Sequence, residues 1–499
     1  MTQQMSPESP KASTAAEAMA AEMSSVNEPK DNDLESATPA VRGWDWLEDS
    51  HNPYNWPKWK KNVQLLTIAS IAFTCSVGTS IVSPAHQDFM DEFGVSSTVA
   101  FLPLSLYVFS LGLGPIVGGP LSEVAGRRAV FIMAVALGGL FALGSGFAGT
   151  FAGLCVMRFL SGFFYGPSLA IGSGVLLETY RPIERGPPSA LFILSPFLGP
   201  GLGPVLGVFL VDRMGWRWTQ YTLVFFSVFC AICMFFSGES YHLVLKRRRM
   251  KALGLTPPEA APLSATMKKF VTVDLFRPIH MLLTEPIVTF LCLYIATMFG
   301  TLFLFFGAFF YVFQKTYNFA LIQSGLVFLG IGFGCLLGTA MVAVCEVVFY
   351  RPKAKKHLSH QIPPEYRLYP AKIGSILLPI SLFWFGWTAS PGINPAAPII
   401  AIVLFGTGNI GLFISSMQYI GDAYHHSNVA SASSANSLAR YTFAAAFPFF
   451  CIQMYQKLGT GWATSILGFL ALLQLPVPWV LSKYGKRLRA LSKYETSSS

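Results

Sequence analysis

Charge is what this sequence has least of. Only 12% of its 499 residues are Asp, Glu, Lys or Arg, while 53% are hydrophobic. A water-soluble domain carries about a quarter charged residues to wet its surface. A soluble globular protein is therefore excluded, and most of the surface is expected to face lipid. Also missing are P-loop, Ser-His-Asp and paired-carboxylate patterns at usable spacing, which speaks against ATP drive and against an enzyme. No cofactor is expected. Cysteine is present but carries no framework. Cys75, Cys155, Cys230, Cys233, Cys292, Cys335, Cys345 and Cys451 all lie inside apolar runs, and even the CxxC at 230 and 233 reads as small apolar filler. The formal net charge of +10 does not imply nucleic acid, because the basic residues sit in short loops and form no stripe.

What the sequence does have is apolar length. Twelve runs, roughly 63–84, 98–119, 129–149, 153–177, 189–211, 219–237, 287–311, 322–349, 371–390, 397–420, 430–454 and 461–481, are each long enough to cross a bilayer as a helix. Lipid offers the backbone no partner, so an all-α membrane protein follows. Residues 1 to about 40 lack an apolar signal-peptide core and are expected to be disordered. The Trp- and Lys-rich "WDWLEDSHNPYNWPKWKKN", Trp44 to Asn62, reads as an interfacial anchor. Basic residues gather on one side of the twelve runs. They are Lys58, Lys60, Lys61, Arg127, Arg128, Arg181, Arg185, Lys246 to Arg249, Arg351, Lys353, Lys355, Lys356, Lys483, Lys486, Arg487 and Arg489. By the positive-inside rule that side, with both termini, is cytoplasmic. The expected organisation is a cytoplasmic segment 1–61, a six-helix bundle 62–237, a cytoplasmic loop 238–286, a second six-helix bundle 287–482 and a cytoplasmic tail 483–499.

Six runs, a polar linker and six runs suggest duplication, and a weak echo agrees. Gly112, Gly114 and Gly118 recur in spacing as Gly332, Gly334 and Gly338, and "ETY" (Glu178 to Tyr180) recurs as "DAY" (Asp422 to Tyr424). Two parallel six-helix halves around a central site is a transporter plan.

Three stretches carry chemistry. "GGPLSEVAGRRAV", Gly118 to Val130, falls between the second and third runs. Gly119 permits close helix contact, Gly126 permits a tight turn, and Glu123 could pair with a basic residue such as Arg127 to latch one conformation, with Arg128 beside it. The plainer reading is a short positive-inside loop. "RFLSGFFYGPSLAIGSG" places Arg158 inside the fourth run, where a charge is costly and marks a functional site unless it snorkels. "SPFLGPGLGPVLGVFL" repeats Pro196, Pro200, Pro204 and Gly199, Gly203, Gly207 every four residues, so each set lines one side of a helix. Glu178, Glu346 and Asp422 lie at or near cytoplasmic ends of runs, and Arg440 lies about mid-depth in the eleventh; these four are possible cavity or gate charges. Asp422 with His425 and His426 could suggest a metal, but adjacent His on a short loop more often face water, and no metal is expected.

The loop pattern G-x-x-x-[DE]-x-x-G-[RK]-[RK], from Gly119 to Arg128, closely resembles the signature of the major facilitator superfamily. It departs at Val124, where that family usually has Arg or Lys. Arg158 to Gly162 resembles the family's fourth-span motif, implicated in proton coupling, with Ser161 where Gln is common. The fifth-run pattern G-P-x-x-G-P-x-x-G resembles the motif of the superfamily's antiporters. "WRWTQY", "LFRPIHMLLTEP", "PPEYRLYPAKIGSILLPISLFWFGWT" and "LSKYGKRLRALSKY" are similar to fungal twelve-span drug:proton antiporters. The resemblance implies a major facilitator fold exporting small amphiphilic compounds such as drugs, fungicides, toxins or secondary metabolites against protons. It also implies a lipid-embedded monomer in the plasma membrane, with the vacuolar membrane as alternative. A polyamine exporter, an importer of the same fold and a non-transporting nutrient sensor are the alternatives. The near absence of carboxylates inside the runs, against Arg158 and Arg440, points to neutral or weakly acidic substrates rather than polycations.

Overall fold

The computed structural model describes residues 44–181, 184, 186–256, 276–354, 362–424, 426–492 and 494. The segment expected to be disordered, Arg185, Lys355, Lys356 and His425 lie outside the described residues. The apolar runs are helices, as hydrocarbon requires. They are α1 (Lys58–Ser80), α2 (Leu102–Ala125), α3 (Arg127–Gly146), α4 (Phe151–Thr179), α5 (Gly186–Met214), α6 (Arg217–Phe236), α7 (Pro286–Tyr317), α8 (Leu329–Cys345), α9 (Tyr369–Thr388), α10 (Ala396–Ala423), α11 (His426–Ala446) and α12 (Pro448–Gln474). A short basic helix, His242–Ala252, follows α6, and a helix Pro476–Ala490 extends α12. All eight cysteines are free thiols, Cys233 half-buried and the others buried.

Among the described residues, eleven segments are long and apolar enough to cross a membrane, one fewer than the twelve runs. The difference lies in the eleventh crossing. Ser431, Ser433, Ser434, Asn436, Ser437 and Arg440 make α11 polar, yet it packs on α7 and on α2. A helix sheathed by protein needs no lipid-compatible surface. At Pro448 the backbone passes directly into α12. Residues 448–458 continue the eleventh crossing, Gly459 (φ +75°) reverses the chain, and Tyr455 meets Thr464 by a hydroxyl hydrogen bond of 2.9 Å across the turn. The first span also starts earlier than expected, at Lys58 rather than 63, because Trp56 and Pro57 end the anchor there.

Packing repeats six spans on. α1 lies on α5, α2 on α4, α3 on α4 and α6; α7 lies on α11, α8 on α10, α9 on α10 and α12. The same arrangement thus occurs twice, in two six-helix bundles. The weak sequence echo is the signature of matching contacts. A Cβ on Gly114 would sit 2.8 Å from the Gly166 Cα of α4, and one on Gly334 would sit 3.0 Å from the Gly406 Cα of α10. Small residues let these helix pairs cross backbone to backbone.

The bundles meet along α2–α11 and α5–α8. Tyr441 lies over Gly112, Gly201 faces the Gly332 backbone, and Phe197 packs at a tilt against Phe413 with centroids 4.8 Å apart. Further along, Val208 covers Gly325, Phe101 covers Gly307, and Gln453 donates to Thr98. These contacts run from mid-depth to the face opposite the basic loops. At the basic face, the ion pairs drawn between described residues each stay within one bundle.

Candidate functional site

At the basic face of the first bundle, Gly126 (φ +92°) makes the expected tight turn from α2 into α3. A Cβ there would run into the Glu239 carboxylate. Glu239 explains the crowding. Its Oε1 accepts from the Arg127 backbone N–H at 2.9 Å and its Oε2 from that of Arg128 at 3.2 Å. A buried carboxylate thus caps the N-terminus of α3, where the helix dipole favours negative charge. The Arg127 guanidinium donates to Glu178 Oε1 from Nη2 at 2.8 Å and from Nε at 3.0 Å, and lies 4.7 Å over the Tyr241 ring. The Ser240 hydroxyl donates to Glu178 Oε2 at 3.0 Å.

This corrects the expected pairing. Arg127 takes Glu178 at the end of α4, whereas Glu123 is exposed and forms no ion pair with a described residue. One turn of helix points Glu123 outward while Ser122 turns in to Arg127. Gly119 is also not the contact glycine: a Cβ on it would meet nothing within 4 Å, while Gly118 presses on Pro167. Arg128 turns away from the cluster. It sits at the mouth of a groove of about 440 Å³ between α3 and α6, lined by apolar residues such as Ile132, Leu140 and Phe235.

The second bundle has its own version. Arg367, just before α9, donates from Nε to Asp422 at the end of α10 (2.8 Å) and from Nη1 to Glu346 at the end of α8 (3.2 Å). It stacks 3.8 Å from the Tyr350 ring centroid, in a stretch Glu346–Tyr350 wound as a π-helix. Arg489 of the last helix pairs with Glu365. The Tyr180 hydroxyl donates to the Lys61 carbonyl, and that of Tyr424 to Glu285, so "ETY" and "DAY" make equivalent ties. Arg367, Glu239 and Glu285 were not singled out from sequence. Their only signal is position beside a span end, which many solvated charges share.

The fifth-span motif packs on α1 of its own bundle. A Cβ on Gly199, Gly203 or Gly207 would meet Ser76, Ser80 or the Ile81 carbonyl. Pro200 cannot donate to the carbonyl four residues back, at Pro196, and the Ser76 hydroxyl donates to that oxygen instead. The Ser80 hydroxyl donates to the Gly199 carbonyl at 3.1 Å. The glycine face, with Pro196, Pro200 and Pro204 inside the helix, therefore joins two helices, with the oxygen freed at Pro196 served by Ser76 and the Gly199 carbonyl taking a further bond from Ser80. Phe197, Gly201 and Val208, outside the glycine face, meet the other bundle.

Arg158 is fully buried. Its Nη2 donates to the Gly78 carbonyl of α1 at 2.7 Å, its Nε to the Pro103 carbonyl of α2 at 3.2 Å, and its Nη1 to Gln220 of α6 at 3.4 Å. Tyr107 stacks 4.2 Å away. It neither snorkels nor reaches a cavity; it ties four helices together. Ser161 donates to the Gly138 carbonyl of α3.

Arg440 differs on every point. It is part-exposed, and three rings surround its guanidinium, Phe299 of α7 at 4.7 Å, Phe413 of α10 at 4.8 Å and Tyr441 at 4.6 Å. Its buried Nε has no hydrogen-bond partner, and no carboxylate of a described residue pairs with it. Asn436, one turn earlier on α11, is buried with its Oδ1 unpartnered.

The Major Facilitator Superfamily pattern matches residues 68–448. The chain is 38% identical to the "Citrinin biosynthesis cluster MFS transporter mrr1" of Monascus ruber, over 90% of this chain and 91% of that one. It is 35% identical to "Efflux pump FUB11" of Gibberella moniliformis, over 91% and 77%. It is 32% identical to "Polyamine transporter 4" of Saccharomyces cerevisiae, over 92% and 74%.

Proposed function

The chain belongs to the Major Facilitator Superfamily, and on that premise we propose that it is an efflux carrier exchanging small amphiphilic organic compounds for protons. The single observation that carries export is the glycine–proline face of α5, seated on α1, with Ser76 serving the oxygen freed at Pro196 and Ser80 bonding the Gly199 carbonyl. The relatives named for efflux and for a biosynthetic cluster support the same direction. The two bundles, 62–237 and 287–482, are the bodies that rock. Their contacts run from mid-depth to the face opposite the basic loops, which fits a site that loads from the basic side. With basic loops inside, that side is the cytoplasm, both termini face it, and the plasma membrane is the expected location. Arg127–Glu178 and Arg367–Asp422–Glu346 act as the latches of the two halves, opening and closing as the bundles move. The unit of function is a monomer.

Arginine does not give up its proton in a protein, so Arg158 and Arg440 orient charge rather than carry it. Glu178, Glu346 and Asp422 are titratable groups at the loading face, in ion pairs with Arg127 and Arg367. The test is efflux from preloaded cells at constant ATP. Addition of a protonophore is expected to stop it; efflux that continues after the pH gradient has collapsed overturns proton drive. A non-transporting sensor on the same scaffold would show no flux in proteoliposomes in either condition.

Polyamine carriage is the second reading, because one relative bears that name. A buried polycation needs carboxylate partners. Among the described residues the span carboxylates lie at the ends, at Asp88, Asp91, Glu92, Glu123, Glu178, Asp212, Glu346, Glu365 and Asp422, and the mid-depth charge that borders the interface is Arg440.

A further inference from the structure

We propose that Arg440 is the anchor of the substrate site, and that the site selects planar aromatic compounds bearing a carboxylate or an equivalent acidic oxygen pair. The inference rests on the export reading and names the substrate class for it. Three features of the geometry support it. Phe299, Phe413 and Tyr441 all lie within 4.8 Å of the guanidinium carbon. Aromatic rings bind a guanidinium through its charge and its flat faces, and they accept none of its in-plane N–H bonds. Among the described residues no acceptor is drawn to this fork, whose donors fit a carboxylate two at a time, and its Nε is buried without a partner.

The second feature is the partner set. Leaving a buried donor unserved is costly, and the first bundle avoids that cost at Arg158 by giving it two carbonyls and a glutamine. The same fold therefore could satisfy a mid-span arginine with protein groups, and at Arg440 it does not. Asn436 adds an unpartnered amide oxygen one turn away, an acceptor for a hydroxyl on the bound ring.

The third feature is location. Phe413 packs at a tilt against Phe197 of α5, and Tyr441 covers Gly112 of α2. The cage is built on α7, α10 and α11, but two of its rings press on the first bundle. A ring system slid between Phe299 and Phe413 would touch the surface along which the halves move. Its acid group on Arg440 would then be felt at the interface. A polyamine would bring positive charge beside an uncompensated guanidinium, and like charges in a low-dielectric site repel strongly.

The test reads binding rather than transport. The protein in phosphatidylcholine nanodiscs is titrated with naphthalene-2-carboxylate, its carboxamide, 2-naphthylmethylammonium and spermine. The carboxylate is expected to bind saturably and about tenfold or more tighter than the amide, as a charge-assisted pair requires, and neither cation should displace it. Arg440→Met should abolish that preference while leaving amide binding and the melting temperature near wild type, and Arg440→Lys should recover part of it. Equal affinity for acid and amide, saturable spermine binding, or a preference that survives Arg440→Met would overturn the proposal. Should Arg440→Met fail to fold, the ligand ranking of the wild-type protein and the lysine variant still decide. Carboxylate-selective binding without efflux would uphold the site and sink the export reading; efflux without acid selectivity would do the reverse.

Discussion

The two halves of the molecule repeat each other's packing but use their arginines in opposite ways. In the first bundle Arg158 is sealed, with acceptors on α1, α2 and α6 and a tyrosine beneath it. In the second, Arg440 is open, ringed by aromatics and without a protein acceptor. The difference extends to the helices around them. α5 is built of glycine and proline and locks onto α1, while its counterpart α11 buries Ala432, Ala435 and Ala444 and spends its polarity on serines, Asn436 and Arg440. Duplication supplied one frame. One copy keeps its buried charge as a structural tie, and the other presents it. A costly residue inside a membrane protein is thus informative only together with what it touches.

The largest expected effect separates those two arginines. Arg158→Met would orphan the Gly78 carbonyl at the end of α1, at about 1–3 kcal/mol, and would unlink α4 from α1, α2 and α6. The yield of folded protein and its melting temperature in detergent should fall, and transport should be lost with them. Arg440→Met should leave both stability measures close to wild type. Equal melting temperatures for the two variants would erase the contrast between tie and anchor.

The latches allow a finer comparison. Arg127 has one acidic side-chain partner, Glu178, while Arg367 has two, Asp422 and Glu346. Glu178→Gln should therefore slow transport more than Asp422→Asn, because Arg367 keeps Glu346 when Asp422 is neutralised. Glu123→Gln, on an exposed side chain, should be nearly silent. Transport rates normalised to the amount of protein at the membrane check the ranking. A large loss from Glu123→Gln with none from Glu178→Gln would return the latch to the loop itself.

Most of the fold was legible in the sequence, and for one reason. Lipid forces apolar length, helix and basic-loop asymmetry into linear signals, so the runs and the repeat could be read directly. The eleventh span was the weakest as hydropathy because protein, not lipid, surrounds it. The motif positions Gly126 and Gly203 could be read, since each answers to a local demand, a positive φ or a close crossing. The partners could not. Glu123 and Glu178 look alike in sequence, and only the turn of α2 and the end of α4 decide which one meets Arg127. Likewise Arg158 and Arg440 both read as charges within spans, and the carbonyls that satisfy the first are backbone atoms, on which composition is silent. Glu239 could have been suspected only by knowing that residues after α6 fold back onto the start of α3.

The smallest effect concerns the collar on the basic face of the first bundle. His242, at the start of the helix after α6, donates or accepts at both ring nitrogens: Nε2 lies 2.8 Å from the Glu178 carbonyl and Nδ1 lies 3.4 Å from the Trp46 indole N–H. The carbonyl can only accept and the indole can only donate, so the neutral ring with its proton on Nε2 satisfies both. Tyr54 packs 4.8 Å from it, and the tyrosine hydroxyl reaches the Leu177 carbonyl. Burial holds the His242 pKa below its ordinary value of 6.5. A group whose folded pKa is depressed stabilises the docked state above its free pKa and loses that contribution as pH falls, because the undocked ring takes up the proton first. The tether of residues 44–56 to this face should accordingly loosen as pH drops from about 7.5 to about 5.5. Asp49 adds to this loosening only at far lower pH. Burial raises its pKa, but hydrogen bonds from the His51 backbone, Trp44 and Arg249 outweigh burial and hold its carboxyl well below the usual range. Hydrogen exchange of residues 44–56, corrected for intrinsic rates, should rise over that interval in the wild type and stay flat in His242→Gln, whose amide keeps a donor and an acceptor but does not titrate. A rise of equal size in His242→Gln would trace the effect to general loosening instead of to His242.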